Sequence, residues 1–223
     1  MLNLFEMPSR SKYICKDRWN FTVHVLHGDE EYTIDPSGTC YIMMTDADFV
    51  SDNGTIQVEY AAIQAVNKFT VRTLPLGSAI IVEYDGLSLN EERIYIPSNL
   101  GEGNLSYMDG GTNTTAINPG RLGDPVINYV HFPAYMFQTL HTHPSQRVGF
   151  ILKGNGSVTL KEEEIFKLKE GEAFFMDRNE LHNFVCDEED VILFVWAPDS
   201  GTGPTDEINP LKVRTYVTQQ SKT

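Results

Sequence analysis

The sequence predicts an all-β protein with two halves, each built from short strands in the manner of a barrel or sandwich. Short apolar or alternating runs recur along most of the chain, and turn residues separate them at short intervals. Aromatic residues, which favour strands, are plentiful, with 12 Phe, 10 Tyr and 2 Trp. At 223 residues the chain is long enough for one large β domain or two small ones.

The first half, residues 1–96, opens with a polar, mixed stretch and then alternates strands with turns. Asp46–Gly54 is predicted as a polar loop, and Pro75–Gly77 as a hairpin turn. Thr55–Gln64 begins with the alternation of a strand but ends in an alanine-rich run, so strand and helix both stay open. The predicted strands of this half are Phe21–Leu26, Tyr32–Ile34, Cys40–Met44, Phe69–Leu74, Ser78–Tyr84 and Arg93–Ile96.

Residues 97–124 differ in composition from the rest of the chain. Glycine, asparagine, serine and threonine dominate, and no hydrophobic period is visible. A long structureless segment is unusual inside a compact domain, so this stretch is predicted to connect two β halves. Alternatively, it folds over a barrel mouth as a lid.

The second half, residues 125–200, repeats the rhythm of short strands. Its predicted strands are Val126–Phe132, Tyr135–Thr142, Val148–Leu152, Gly156–Lys161, Ile165–Leu168, Ala173–Met176, Leu181–Cys186 and Val191–Ala197. Lys161–Glu164 is predicted as a hairpin tip carrying a solvated charge cluster. The tail, residues 201–223, is polar, with Val213–Val217 as a further edge strand.

Charge and cysteine content narrow the function classes. A net charge of -14 argues against nucleic acid and against an anionic membrane as partners, because both need a basic surface. The three cysteines, Cys15, Cys40 and Cys186, lack the spacing of a zinc site, and a sparse, odd number favours a reducing compartment. Neither a secretion signal nor a membrane-spanning run is visible, so a cytoplasmic protein is expected.

Three histidines form the candidate site. His141 and His143 are one residue apart, and on a strand they would present two imidazoles on one face. His182 follows a polar turn and starts an apolar run, so a neighbouring strand would deliver a third imidazole. Imidazole nitrogens are common ligands of divalent metals. The competing interpretation is two surface histidines before a proline turn and an unrelated loop histidine.

At these residues the chain resembles the cupins. Their first motif has a glycine, His-x-His, a glutamate and a second glycine; His141, His143 and Gly154 fall in register with it. Arg147 occupies the glutamate position, and Tyr135 stands where the opening glycine would be.

The second cupin motif resembles the sequence at two positions. Gly171 and His182 keep its spacing, whereas Asp177, Asn179 and Cys186 replace its proline, its second glycine and its asparagine. The resemblance covers about residues 125–200 and implies a double-stranded β-helix, the jelly-roll barrel, with a metal inside. The first half has similar strand density and could be a second, degenerate cupin.

The resemblance implies that His141, His143 and His182 bind one divalent metal ion, which could be Fe, Zn, Ni, Mn or Cu. Arg147 cannot be a ligand, because its guanidinium stays protonated. If it faces inward, it would bind the carboxylate or phosphate of a small-molecule substrate, a catalytic role; if it faces outward, it would pair with a surface acid. Gln146 is a lesser candidate for a fourth ligand.

Two functions follow from this interpretation. The first is a metal-dependent enzyme acting on a small anionic organic substrate, with a three-histidine dioxygenase-like oxidoreductase as the preferred type and an isomerase or decarboxylase as others. The second is a module that binds a sugar or small acid without catalysis, which the missing glutamate favours. A storage role is weaker, because it leaves the histidines unexplained. A homodimer is compatible with the family, although no residue indicates one.

Overall fold

The computed structural model describes residues 1–160 and 164–201, and within them the protein is almost entirely β-structure. Two short 3-10 helices occur, at Leu4–Glu6 and Met108–Gly110. The strands are β1 (Leu2–Asn3), β2 (Lys12–Lys16), β3 (Asn20–His27), β4 (Glu31–Ile34), β5 (Thr39–Ser51), β6 (Gly54–Ala65), β7 (Phe69–Tyr84), β8 (Arg93–Tyr95), β9 (Leu105–Ser106), β10 (Thr112–Ile117), β11 (Val126–Phe132), β12 (Arg147–Lys153), β13 (Gly156–Leu160), β14 (Ile165–Leu168), β15 (Ala173–Met176), β16 (His182–Cys186) and β17 (Val191–Ala197). Among these residues no helix has the length and apolar character needed to cross a membrane.

The first half forms one seven-stranded antiparallel sheet. Its order is β2-β3-β7-β5-β6-β8, and β4 pairs with β7. The three long strands β5, β6 and β7 dominate it, with 13, 12 and 16 residues. Thr55–Gln64, which the sequence left open, lies entirely in β6 because it pairs along its length with β5.

Two predictions for the first half were wrong: most of the predicted loop Asp46–Gly54 is strand, with its turn confined to residues 52–53, and the predicted hairpin at Pro75–Gly77 is absent. β5 continues through the first part of the predicted loop to Ser51, interrupted only at Asp46, which has a φ of 42° and is skipped in the ladder. β7 runs through Pro75–Gly77, because its two ends pair with the same strand β5 in one direction instead of with each other. The extra residues bulge outward, and a Cβ on Gly77 would lie 2.1 Å from the carbonyl oxygen of Asp46, so glycine is required there.

The second half forms two further sheets. The large one has the order β1-β15-β12-β17-β11-β10-β9, and the small one β14-β13-β16. Their inner faces pack around a shared apolar cluster that includes Ile151 and Leu193 from the large sheet and Val158 and Leu160 from the small one. This is a jelly-roll arrangement, as the sequence predicted.

Two segments of the second half differ from expectation. Residues 97–124, predicted to be a structureless connector or a lid, contain β9 and β10, and β10 pairs with β11 along its length. Tyr135–Thr142 is not a regular strand: it follows β16 only through the isolated bridges Phe137–Val185 and His141–His182. Of the predicted charged tip, residues 161–163 lie outside the described residues. The predicted edge strand Val213–Val217 and all of the tail beyond residue 201 do so as well.

The outer face of the large sheet packs against the first half. Trp196 of β17 is fully buried, with its ring centroid 4.8 Å from that of Phe21 and 6.1 Å from that of Tyr41. Phe175 of β15 packs against Tyr13 at 4.8 Å. Because side chains alternate between faces, the large sheet therefore has one face against the first half and one face lining the barrel interior.

Candidate metal centre

The structure brings the three predicted histidines together. Their ring centroids are 4.9 Å apart for His141 and His143, 4.3 Å for His141 and His182, and 5.1 Å for His143 and His182. One nitrogen atom from each ring lies within 4.8 Å of the others. Three nitrogens bound to one ion at about 2.1 Å lie about 3 to 3.5 Å apart, so small rotations of the rings would close the site.

Backbone hydrogen bonds hold the two segments that carry the histidines. The amide of His141 donates to the carbonyl of His182 and the reverse bond is also made, both at 3.0 Å. The amide of Asn179 donates to the carbonyl of His143 at 2.7 Å, so the turn before β16 is tied to the same segment. An irregular segment with only isolated bridges therefore still has a fixed register where the histidines lie.

Hydrogen bonds also fix two of the imidazole tautomers. Nδ1 of His141 lies 2.8 Å from the carbonyl oxygen of Thr139, and Nδ1 of His182 lies 2.8 Å from that of Glu180. Because a carbonyl oxygen only accepts, both Nδ1 atoms carry the proton and both Nε2 atoms keep a lone pair. Nε2 of His182 is buried without a hydrogen-bond partner among the described residues.

The environment keeps the imidazoles neutral. Burial lowers the pKa of His182 to about 3, with His141 adding to the effect. Burial, followed by the nearby charge of Arg147, lowers the pKa of His143 well below its usual value, and burial also lowers the pKa of His141. Neutral imidazoles, one of them with an unpartnered lone pair at His182 Nε2, match the donor set of a divalent metal, so the residues present fit such an ion.

Arg147 faces the barrel interior, so the surface-paired alternative is wrong. Its side chain is buried, and Nη1 donates to the carbonyl of Ser145 at 3.0 Å, to Ser145 Oγ at 2.7 Å and to the carbonyl of Gln146 at 2.8 Å. Burial lowers the pKa of Arg147 to about 10, whereas Tyr107 and Asp199 raise it. A guanidinium with such a pKa stays charged at neutral pH.

The histidines and Arg147 line one cavity of about 550 Å³ inside the barrel. Its walls are largely apolar and include three phenylalanines, Phe132, Phe174 and Phe184. The ring of Phe184 lies edge-on to His182, with the two ring centroids 6.0 Å apart. A cavity of this size and composition suits a small organic molecule.

The other residues considered from the sequence lie elsewhere. Gln146 points away from the histidines, and its Nε2 donates to Asp17 at 3.0 Å. Cys186 is buried in the barrel core, where burial raises the pKa of its thiol to about 11. Two polar residues of β11 are structural: His131 lies 3.1 Å from Asp190, and the hydroxyl of Tyr129 is bonded to the backbone of Gly101. Tyr135 is exposed.

Sequence reasoning missed the site residues that precede β11. Tyr107 and Asn113 line the cavity, and burial raises the pKa of Tyr107 to about 12. Asp109 accepts hydrogen bonds from the amide of Thr139 at 2.6 Å and from its hydroxyl at 3.1 Å. Because the carbonyl of Thr139 in turn holds the ring of His141, the 3-10 turn supports the histidine cluster. No periodicity marks these positions in the sequence.

The glycine positions of the two motifs share one backbone conformation. Gly154 and Gly171 have φ values of 81° and 77°. Tyr135 and Asn179, which stand where the motifs have glycine, have φ values of 62° and 59°. Such positive angles are uncommon for residues with a Cβ, so the backbone of both motifs is kept although two of the glycines are replaced.

Comparison with known proteins agrees with the geometry. Residues 129–198 match the family described as "Cupin domain". These residues form a cupin domain. Among curated protein sequences no relative matches the chain. Since the family match begins at residue 129, Tyr107, Asp109 and Asn113 lie outside the matched part of the cupin domain.

Solved structures extend the likeness to most of the chain. A cupin 2 conserved barrel domain protein from Leptotrichia buccalis has a TM-score of 0.59 at 15% identity and covers 85% of this chain and 88% of its own. An IolB-like protein from Salmonella typhimurium LT2 has a TM-score of 0.59 at 12% identity with the same coverage. Salicylate 1,2-dioxygenase from Pseudaminobacter salicylatoxidans has a TM-score of 0.56 at 11% identity and covers 81% and 70%. A mutant of that enzyme was crystallised with gentisate. At these identities the likeness concerns the fold.

Proposed function

We propose that the cupin domain binds one divalent metal ion through His141, His143 and His182 and acts on a small anionic organic molecule as a dioxygenase-like oxidoreductase. The observation that carries the proposal is the convergence of three neutral imidazoles on the wall of a cavity that Arg147 also lines. The resemblance in fold to a salicylate dioxygenase supports the same reaction class.

The charges around the cavity favour an anion. Three neutral ligands leave the charge of a divalent ion uncompensated, and Arg147 adds a further positive charge. Asp199, which also lines the cavity, offsets part of this charge. An anionic substrate would complete the neutralisation, with Arg147 holding a carboxylate close to the histidines.

The chain's own residues would bind and shield the substrate. A bound ferrous ion would supply an open position for substrate and dioxygen. The rings of Phe132, Phe174 and Phe184 would hold an apolar body and exclude water, which strengthens the interaction between Arg147 and an anion. The bonds that Arg147 donates to Ser145 and to the Gln146 carbonyl keep the guanidinium in place before substrate arrives.

Metal analysis tests the first part of the proposal. Protein loaded with Fe²⁺, Zn²⁺, Mn²⁺, Ni²⁺ or Cu²⁺ and then desalted should retain about one ion per chain, measured by plasma mass spectrometry. H143A and H182A should each lose most of it. H27A is the matched control, because His27 lies in β3 of the first half and bonds the carbonyl of Met7. Equal metal content in all four proteins would contradict the site.

Oxygen uptake separates the enzyme from a binding module. The iron-loaded protein, supplied with benzoate, salicylate or gentisate, should consume dioxygen with at least one of them. R147Q should lose that activity through a higher KM. One observation favours the alternative, a non-catalytic module for a sugar or small acid: an arginine stands where cupins usually carry a carboxylate ligand. Binding of an acid without oxygen uptake by any metal form would support that alternative.

A further inference from the structure

A polar patch interrupts the apolar wall of the barrel cavity on the large sheet. Asn113 and Thr115 of β10 and Asn128 of β11 line the cavity, beside Val126 and Val130 of β11. Alternating residues of a strand share one face, so all five belong to the inner face of the sheet. Two amides on an otherwise apolar wall are costly unless their polar atoms find partners.

One side-chain atom of this patch lacks a hydrogen-bond partner within residues 1–160 and 164–201. Asn113 is 2% exposed, and its Nδ2 donates to Asn128 Oδ1 at 3.4 Å. The remaining oxygen, Asn113 Oδ1, is buried without a hydrogen-bond partner among the described residues. Buried amide oxygens are nearly always satisfied in folded proteins, so an orphaned one that lines a cavity indicates a place for a ligand donor.

The patch lies across the large sheet from Arg147. Asn128 faces Val195 of β17, and Val195 faces Gly149 of β12, two residues after Arg147. Two inter-strand spacings of about 4.8 Å therefore separate Asn128 from β12, and Asn113, on β10 opposite Val130, lies one spacing further, roughly 14 Å from β12. The long side chain of Arg147 covers part of that gap, which leaves room for one aromatic ring with a short arm.

The wall between the two polar ends is flat and apolar. A Cβ on Gly149 would lie 2.1 Å from Cζ of Phe174, so the phenyl ring lies directly over the glycine. Val195 continues this surface toward Asn128. The cavity therefore has a positive end at Arg147, an apolar middle, and a neutral hydrogen-bonding end at Asn113.

We propose that Asn113, oriented by Asn128, is a recognition subsite that accepts a hydrogen bond from a hydroxyl group at the end of the substrate remote from its anionic group. The inference rests on the proposed function for the anionic end. It goes further by assigning the substrate class: hydroxylated aromatic or arylalkenoic acids with the hydroxyl opposite the carboxylate.

Matched acid pairs test the subsite. Dissociation constants of benzoate, 4-hydroxybenzoate, cinnamate and 4-hydroxycinnamate are measured by calorimetry on the full-length, metal-loaded protein. At least one hydroxylated acid should bind about tenfold tighter than its parent, a difference of about 1.4 kcal/mol. The hydroxyl ratio is the dissociation constant of the parent acid divided by that of its hydroxylated form. N113L should bring the hydroxyl ratio close to one while changing the affinity for the parent acid less than threefold. N113D, which keeps the acceptor, should keep a ratio above one.

The outcomes separate the two proposals. R147Q should weaken both members of a pair alike and leave the hydroxyl ratio unchanged. A ratio that survives in N113L overturns the subsite and leaves the proposed function standing. If no parent acid binds, or if R147Q has no effect, the anionic substrate class fails and the subsite fails with it.

A wild-type measurement protects the test against a misfolded variant. The 4-methoxy analogues of both acids keep an oxygen at the same position but have no proton to donate. They should bind no tighter than the parent acids, because Asn113 Oδ1 needs a donor. Methoxy and hydroxy acids of equal affinity would overturn the proposal without any substitution.

Discussion

Asp109 offers the sharpest test of how the histidine cluster is held. Its carboxylate accepts two hydrogen bonds from Thr139, whose carbonyl fixes the ring of His141. The residue has a φ of 56°, a conformation that asparagine tolerates well, so D109N removes the charge without new backbone strain. An amide offers one acceptor oxygen where the carboxylate offers two, so one charge-assisted bond is lost, and only a weaker bond from Nδ2 to the hydroxyl of Thr139 can replace it.

The size of the effect follows from these bonds. Both Asp109 and Thr139 are exposed, so each hydrogen bond contributes only about 1 kcal/mol. Loss of one bond should therefore weaken metal binding by about fivefold, and loss of both in D109A by tenfold or more. The latter lies within the roughly 10- to 100-fold range known for groups that orient metal ligands.

Competition with a chromophoric chelator measures the dissociation constants for Zn²⁺ and Co²⁺. The visible spectrum of bound Co²⁺ should also change in D109A, because His141 is then free to rotate, whereas a purely structural loss would leave the spectrum unaltered. D85N is the control, since Asp85 is exposed in the first half and undergoes the same change of charge. Metal affinities within twofold of the wild type in both Asp109 variants would refute the reasoning.

Three further outcomes are expected. G149A should destabilise the fold by roughly 1 to 3 kcal/mol in urea unfolding, because its Cβ would collide with the ring of Phe174; no loss would show that the ring has room to move. Y135G should raise the unfolding free energy by up to about 1 kcal/mol, because glycine adopts the φ of 62° without strain, and an unchanged or lower value would contradict this. The metal-free protein should lose stability as the pH falls below 6.5: the folded-state pKa of His182, about 3, lies below the unfolded value, so the unfolded chain takes up a proton first. For His182 alone, the unfolding free energy should be about 2 kcal/mol lower at pH 5 than at pH 8. The H182N variant cannot take up this proton, so urea unfolding should show a correspondingly smaller loss between the two pH values.

The sequence was informative where a local pattern decides the structure. Strands such as β11, β12 and β17 are short apolar runs between turns, and their bounds were predicted almost correctly. His141, His143 and His182 could be grouped because the motif spacing carries the information. Pro75–Gly77 was misjudged because a turn composition looks the same in a hairpin and in a bulge, and only the pairing of both flanks with β5 distinguishes them.

The remaining site residues depend on tertiary structure. Tyr107, Asp109 and Asn113 lie in a glycine- and asparagine-rich stretch whose composition predicts no regular element. Their roles arise only because β10 pairs with β11 and carries the stretch to the edge of the cavity. Likewise, the inward direction of Arg147 is set by its register against Met176 and not by its own sequence neighbourhood.

The metal-binding residues and the residues that would select the substrate lie in different parts of the chain. The histidines and Arg147 lie within the part of the chain that matches the cupin domain, whereas Asp109 and Asn113 precede it. Metal binding would thus depend on histidines inside the family match, while the orientation of His141 and the choice of substrate would depend on a segment outside that match. Exchanging residues 105–117 while keeping Asp109 should therefore alter which acids bind more than it alters whether a metal binds.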